Sequence, residues 1–285
     1  MNFHKLKSES KIIYQPEDIE SSSKTLDPGI YLLKDEGGMM STKITLTPLE
    51  PQNLIAFSEG TIKQFLKEVD YFLSPNTKEI YKELKMRHST GFILFGKPGT
   101  GKTCLATLAM DELCKKYQAI CIDITRCGIK LAKHLVRVIR QLQSNPIVLF
   151  SDECDNDIRL NEGHYLPFLD GNESVDDLIF LGCTNNIDRI PERIRHRKSR
   201  IKKCFEIKSL PIKVYQEYVE ERLPNLEKSL FSELCFKAVE NSLTIDQFKN
   251  TLLDYRLGNT NIDKAIELAL ETYKGDEEEI ETEDE

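Results

Sequence analysis

No run of apolar residues in this sequence approaches the roughly 20 needed to cross a bilayer, so a membrane span is not expected. The first ten residues, Met-Asn-Phe-His-Lys-Leu-Lys-Ser-Glu-Ser, lack the apolar centre of a secretory signal. Eight cysteines are present, at 104, 114, 121, 127, 154, 183, 204 and 235, but no two stand as Cys-x-x-Cys. That spacing is what a zinc site or redox couple would show. Several of the cysteines fall in apolar runs and read as reduced core thiols in a reducing compartment. A soluble, cytoplasmic protein is the expectation. A general surplus of basic charge is also missing. The formal charge is −8, yet eight carboxylates lie within residues 276–285, and residues 1–275 hold 39 bases against 39 acids. A neutral body argues against a broad nucleic-acid surface. The acidic block at 275–285 reads as a disordered, solvating tail.

What the sequence does have is a stretch around which the rest is organised. Gly91 to Thr103 reads Gly-Phe-Ile-Leu-Phe-Gly-Lys-Pro-Gly-Thr-Gly-Lys-Thr. Its apolar run has the character of a buried strand, and Leu105, Leu108, Ala109 and Leu113 follow at helical spacing. Between strand and helix lies Gly96-x-x-x-x-Gly101-Lys102-Thr103, the pattern of a phosphate-binding loop in the context that such a loop requires. Glycines at 96, 99 and 101 let backbone N–H groups turn inward toward an anion, and the helix adds its positive end. Lys102 would reach the β- and γ-phosphates of ATP, and the Thr103 hydroxyl would ligate magnesium. The nucleotide contacts expected from this segment are Gly96, Lys97, Pro98, Gly99, Thr100, Gly101, Lys102, Thr103 and Cys104.

Further strands alternate with helices, which implies a parallel sheet with right-handed crossovers. Ala119 to Ile124 is one strand, and a helix through Leu131, Leu135, Val138 and Leu142 follows. Ile147 to Ser151 is the next and ends in Asp152-Glu153, 49 residues beyond Thr103. Open α/β sheets carry their chemistry at such strand ends. Asp152 suits contact with magnesium, and Glu153 suits activation of the attacking water. A fourth strand, Leu178 to Cys183, runs into Thr184-Asn185, where a neutral amide can hold that water in line. Arg189, Arg193, Arg195, Arg197, Lys198, Arg200, Lys202 and Lys203 precede a fifth strand at Cys204 to Ile207. Within this basic stretch Arg197 and Arg200 are placed to be offered to a neighbouring subunit's nucleotide. Residues 209–274 turn wholly helical, with a capping box at Thr244-x-x-Gln247. They read as a small lid over the nucleotide. Before the loop, Gly29 to Leu33 and Lys43 to Thr47 read as two strands joined at Gly37-Gly38. Ser58 or Thr61 is placed to cap the helix that carries Ile62, Phe65, Leu66, Val69 and Phe72. The Ser74-Pro75 pair ends this helix, and another follows through Ile80, Tyr81 and Leu84.

Together these segments resemble the AAA-family ATPases from about Leu54 to Tyr273. Gly96 to Thr103 resembles the family's first Walker motif and Asp152-Glu153 the second. Leu166-Pro167-Phe168-Leu169-Asp170-Gly171 is similar to the Leu-x-x-Leu-Asp-Gly segment of the AAA clade. Cys183-Thr184-Asn185 is similar to Ala-Thr-Asn, which makes Asn185 a sensor residue. Arg197-x-x-Arg200 is similar to the paired arginine fingers. The segment from Ser242 to Phe248, with Gly258-Asn259, resembles the lid of bacteriophage AAA ATPases and of the mitochondrial Rieske-protein translocase. Two departures stand out: Thr125 to Lys130 has no aromatic residue of the pore-loop kind, and no arginine opens the last helix.

The resemblance implies an α/β fold, a phosphate-loop parallel five-stranded sheet with a small C-terminal helical lid. Residues 1–53 would be an N-terminal extension with a possible β-hairpin, 54–208 the nucleotide-binding α/β subdomain, and 209–274 the lid. The implied function is magnesium-dependent ATP hydrolysis by a ring-forming homo-oligomer, expected as a hexamer, that remodels or disassembles a protein partner. Glu153, Asn185, Arg197 and Arg200 would be catalytic, while Thr103 and Asp152 would hold magnesium. The alternative is a nucleic-acid-associated ATPase of the helicase-loader or initiator type.

Overall fold

The computed structural model describes residues 2–8, 11–17, 25–35, 44–49, 61–170, 173–207, 212–222, 228–241, 243–257 and 261–270. The Gly37-Gly38 turn, the Ser58 cap, Gly171, the segment around Gly258-Asn259 and the acidic tail lie outside them. The chain divides into two compact units. One comprises residues 1–96 and 102–206, the other residues 97–101 and 207–285.

The first unit is built on one sheet. Its parallel centre contains β5 (Ser89–Phe95), β6 (Ile120–Asp123), β7 (Ile147–Ser151), β8 (Leu178–Thr184) and β9 (Lys203–Glu206). Every residue of β7 and β8 is buried, as is all of β5 except Phe95. Such uninterrupted apolar runs, rather than alternating ones, belong to strands covered on both faces. In order across the sheet the five stand β6-β7-β8-β5-β9, with each neighbouring pair parallel. The connecting helices are α3 (Lys102–Tyr117), α4 (Gly128–Leu142), α5 (Cys154–Leu160), α6 (Glu162–Asp170) and the short α7 (Glu192–Arg195).

The five expected parallel strands are present, but the sheet does not stop there. On the β6 edge it continues through β3 (Gly29–Asp35), β4 (Ile44–Leu49), β2 (Lys11–Glu17) and β1 (Asn2–Ser8), making nine strands. The strand β3 joins β6 in parallel, Gly29 opposite Ile120, and the remaining three pair antiparallel. A short apolar segment such as Gly29 to Leu33 announces a strand but carries no label for its partner. That choice follows from which edge of the sheet would otherwise be unpaired.

Two helices precede the phosphate loop, α1 (Thr61–Leu73) and α2 (Pro75–Glu83). Ser74 separates them and caps α2, its Oγ accepting from the Thr77 N–H at 3.3 Å, with Pro75 at the start of the helix. Phe65, Val69 and Phe72 are buried on one stripe of α1, and Phe65 packs edge-on against Phe92 of β5. His88, just before β5, is sealed under this layer. Its ring stacks on Phe72 at 3.9 Å, Nε2 lies 2.8 Å from the Phe72 carbonyl and Nδ1 lies 2.6 Å from Asp177. A single imidazole therefore joins α1, β5 and the turn before β8.

The second unit contains α8 (Ile212–Arg222), α9 (Lys228–Glu240), α10 (Ile245–Arg256) and a helical run over residues 262–270. Tyr215, Val219, Leu234, Cys235, Phe248 and Ile266 form its core. The capping box at the start of α10 is made in both directions: Gln247 N–H donates to Thr244 Oγ1 at 3.2 Å, and Thr244 N–H donates to Gln247 Oε1 at 2.8 Å.

Candidate functional site

Parallel register brings three strand ends to one edge. Phe95 stands opposite Thr184, and Ser151 opposite Gly182, so Gly96, Asp152 and Asn185 each begin where their strands stop. The Gly96 N–H donates to the Thr184 carbonyl at 3.3 Å, extending that pairing by one residue into the loop. The loop that follows has the backbone of an anion cradle. Gly96, Gly99 and Gly101 adopt φ of 153°, 72° and 88°, the half of conformational space where a side chain would clash with its own backbone. Residues 97–101 group with the helical unit, where Thr100 Oγ1 donates to the Lys97 carbonyl at 2.9 Å and the Gly99 carbonyl accepts the Ile245 N–H at 3.1 Å.

In the α/β unit, Lys102 opens α3 with its side chain turned back, Nζ donating to the Gly96 carbonyl at 2.7 Å. Burial pushes its pKa down, while Cys183, Asp152 and Glu153 act against that shift. An ammonium held there, short of water, is a strong electrostatic partner for a phosphate. The next residue, Thr103, donates its hydroxyl to Asp152 Oδ2 at 2.6 Å. Those two oxygens, 49 residues apart in sequence, are hard ligands of the kind magnesium takes. The residues present thus fit both a phosphate chain and a magnesium ion.

Glu153 is exposed and sits in the left-handed region, φ 45° and ψ 44°, between β7 and α5. Non-glycine residues enter that region at a cost of about 1–2 kcal/mol. The turn directs the chain out of the strand, and the Glu153 N–H donates to Asp152 Oδ1 at 3.1 Å. Asn185 is exposed one residue beyond β8, and the buried Thr184 hydroxyl before it donates to Asp155 Oδ1 at 2.7 Å. Cys104 is half-buried in the first turn of α3.

Arg197 and Arg200 lie apart from this cluster of contacts and differ from each other. Both approach Asp170 at the end of α6, Arg197 Nε at 3.3 Å and Arg200 Nε at 3.1 Å. Arg200 also donates to the Arg193 carbonyl at 2.5 Å, and its side chain is 11% exposed. The Arg197 side chain is 62% exposed. Ser199 Oγ donates to Asp170 as well, at 2.9 Å.

Three residues that the sequence reading passed over help to shape the site. Asp155, buried, anchors Thr184. Thr125, after β6, accepts the Asp152 N–H at 2.9 Å. Asp157 accepts from the Ile129 N–H at 3.2 Å and from the Tyr165 hydroxyl at 2.6 Å, fixing the start of α4 to α5 and α6. Asp155 and Asp157 fall two and four residues after Glu153, but acidic residues at the start of a helix are so common that their positions carry no distinctive signal.

A buried parallel sheet that delivers Gly96, a lysine, a threonine and an acid at one edge has the pattern of a phosphate-loop nucleotide-binding domain. The profile of the AAA family, the ATPase family associated with various cellular activities, matches residues 92–209. Over these residues the chain is similar to the AAA family of ATPases. It is 26% identical over 240 residues to a proteasome-associated ATPase of Mycolicibacterium gilvum, covering 71% of this chain and 38% of that protein. It is 28% identical over 205 residues to a 26S proteasome regulatory subunit 4 homolog of Oryza sativa subsp. japonica, covering 62% and 43%. The ATPase family AAA domain-containing protein 2 of Mus musculus is 27% identical over 210 residues, covering 65% and 20%. The chain thus spans less than half the length of the curated relatives it matches. Among the described residues no helix is long and apolar enough to cross a membrane.

Proposed function

We propose that this chain hydrolyses ATP with magnesium, as a ring-forming AAA ATPase whose cycle remodels or disassembles a protein partner. The observation that carries the hydrolytic reading is the 2.6 Å hydrogen bond between Thr103 and Asp152, which unites the two halves of a magnesium site beside a buried lysine. The first turn of α3 offers its N–H groups to the phosphates, and Lys102 exchanges the Gly96 carbonyl for phosphate oxygen. Thr103 and Asp152 would hold magnesium, which would supply neutralisation of the phosphate charge. Glu153 takes the proton of the attacking water, and Asn185 holds that water in line through its amide. Thr184 and Asp155 keep the Asn185 turn in place.

Assembly and a protein substrate are supported by the relatives whose names place them with the proteasome. Arg197, exposed on the surface, is the better placed of the two arginines to reach a second subunit's nucleotide. A hexamer in the cytoplasm is the assembly we infer, and the eight free thiols suit a reducing compartment. The test is paired: Glu153→Gln should retain ATP in calorimetry and stall hydrolysis, whereas Lys102→Ala should lose the affinity. Normal turnover in the glutamine variant would remove Glu153 from the mechanism. Activity per subunit should also fall on dilution faster than ATP binding does; a monomer with undiminished activity would end the claim of assembly.

A further inference from the structure

Away from the strand ends, two of the eight cysteines meet. Cys114 lies in the last turns of α3 and Cys121 is the second residue of β6, and their sulfurs stand 3.6 Å apart. The two are unlike in surroundings. Cys114 is half-buried, whereas Cys121 is fully enclosed and its sulfur also lies 3.7 Å from the Met110 carbonyl. We propose that Cys114 and Cys121 form a peroxide-oxidisable dithiol, a modification site at which a disulfide joins the phosphate-loop helix to the strand beside it.

The chemistry follows from the asymmetry. A thiolate is the nucleophile, and the hydrogen bond shared with Cys121 lowers the Cys114 pKa against the opposing effect of burial. Burial raises the Cys121 pKa well above the usual value, with the neighbouring thiol adding to it. Cys114 is thus both the reachable sulfur and the more acidic one. Its thiolate attacks one oxygen of hydrogen peroxide, the O–O bond breaks, and the departing hydroxide is protonated to water, leaving a sulfenic acid. Cys121 then gives up its proton and attacks that sulfur. The S–S bond forms as the S–O bond breaks, and a second water leaves. Two thiols and one peroxide become one disulfide and two waters, with two electrons passing from sulfur to oxygen. Closing 3.6 Å to a bond of about 2.05 Å asks for rotation of the two side chains. The chain between them is short, and a thiol at contact distance competes well against a second peroxide molecule.

Two of the other six cysteines provide an internal comparison. Cys154 and Cys183 are buried, and burial raises both of their pKa values well above normal, so neither is poised to react first. The test treats the whole chain with hydrogen peroxide and maps the thiols by mass spectrometry. Trypsin cuts after Lys115 and Lys116, between the two cysteines, so a bond between them appears as two peptides held together. The expected product lacks two hydrogens, joins Cys114 to Cys121, and reverts with dithiothreitol. In Cys121→Ser the Cys114 sulfenic acid should persist and be trapped by dimedone. Accumulation of sulfinic acid on Cys114 in the unaltered chain, with Cys121 still a free thiol, would overturn the proposal. So would a disulfide formed first between any other pair. Because the mapping is done on the unaltered chain, the result stands even if the serine variant fails to fold.

Discussion

Two regions of the α/β unit are rich in charge and use it differently. At the strand ends, Lys102 is bonded to the Gly96 carbonyl and Thr103 to Asp152, with Glu153 and Asn185 exposed beside them. In the segment from Arg193 to Lys203, Arg197 and Arg200 both turn to one carboxylate, Asp170. The first arrangement places polar groups where a ligand can replace internal partners. The second spends one arginine on holding the fold and leaves the other at the surface. Identical side chains three residues apart therefore have different work, and burial is what separates them.

The largest expected effect would break the comparison at the strand ends. Glu153→Gln should lower hydrolysis by about 10²–10⁴-fold, the range for loss of a positioned general base, with ATP affinity retained. A steady-state phosphate-release assay beside calorimetry checks both halves.

Next come the two arginines. Arg200→Ala removes one member of a largely buried pair and should destabilise the fold by about 3 kcal/mol, seen as a lower urea midpoint. Arg197→Ala should cost less than about 1 kcal/mol, yet reduce hydrolysis by about 10³-fold if it completes a neighbour's site. Equal losses of stability in both variants would erase the distinction drawn between them.

Gly91→Ala sharpens the same boundary from the strand side. A Cβ at Gly91 would stand 2.5 Å from the Arg200 carbonyl, in backbone that pairs through Lys202 N–H to the Gly91 carbonyl at 2.8 Å. Forcing β5 from this segment should cost about 1–3 kcal/mol, read as a lower urea midpoint.

The smallest effect concerns pH. Burial raises the Asp177 pKa, but His88 and Lys78 outweigh it and hold the carboxyl below its ordinary value of 3.8. A carboxylate with a lowered folded pKa contributes stability that is present above the unfolded value and lost as pH falls through the folded one. Asp177→Asn should therefore flatten the decline in stability below pH 3.8, measured by urea unfolding across that acid range. An unchanged slope would remove Asp177 as a source of acid sensitivity.

The phosphate loop was legible because it compresses strand, turn and helix into thirteen consecutive residues, Gly91 to Thr103, and each piece restricts its own neighbours. Asp152 and Asn185 were legible for a related reason: each follows an apolar run long enough to be a buried strand. The attachment of β3 to β6 was not, since an edge is chosen by what else is unpaired. Thr125, Asp155 and Asp157 were also hidden. Their importance rests on partners 27 to 29 residues away, as in Thr125 with Asp152, Asp155 with Thr184 and Asp157 with Ile129.

By itself the order of residues determined a parallel α/β sheet, the loop, the acids at the strand ends and the likeness of residues 92–209 to the AAA family. Periodicity, glycine placement and motif spacing are local quantities, and a linear string contains them in full. Tertiary structure alone decided that the described residues form a sheet of nine strands, that Arg200 is enclosed while Arg197 is not, and that Cys114 meets Cys121. Each of those depends on which distant surfaces close over one another, and burial of that kind is a property of packed elements rather than of any segment read alone.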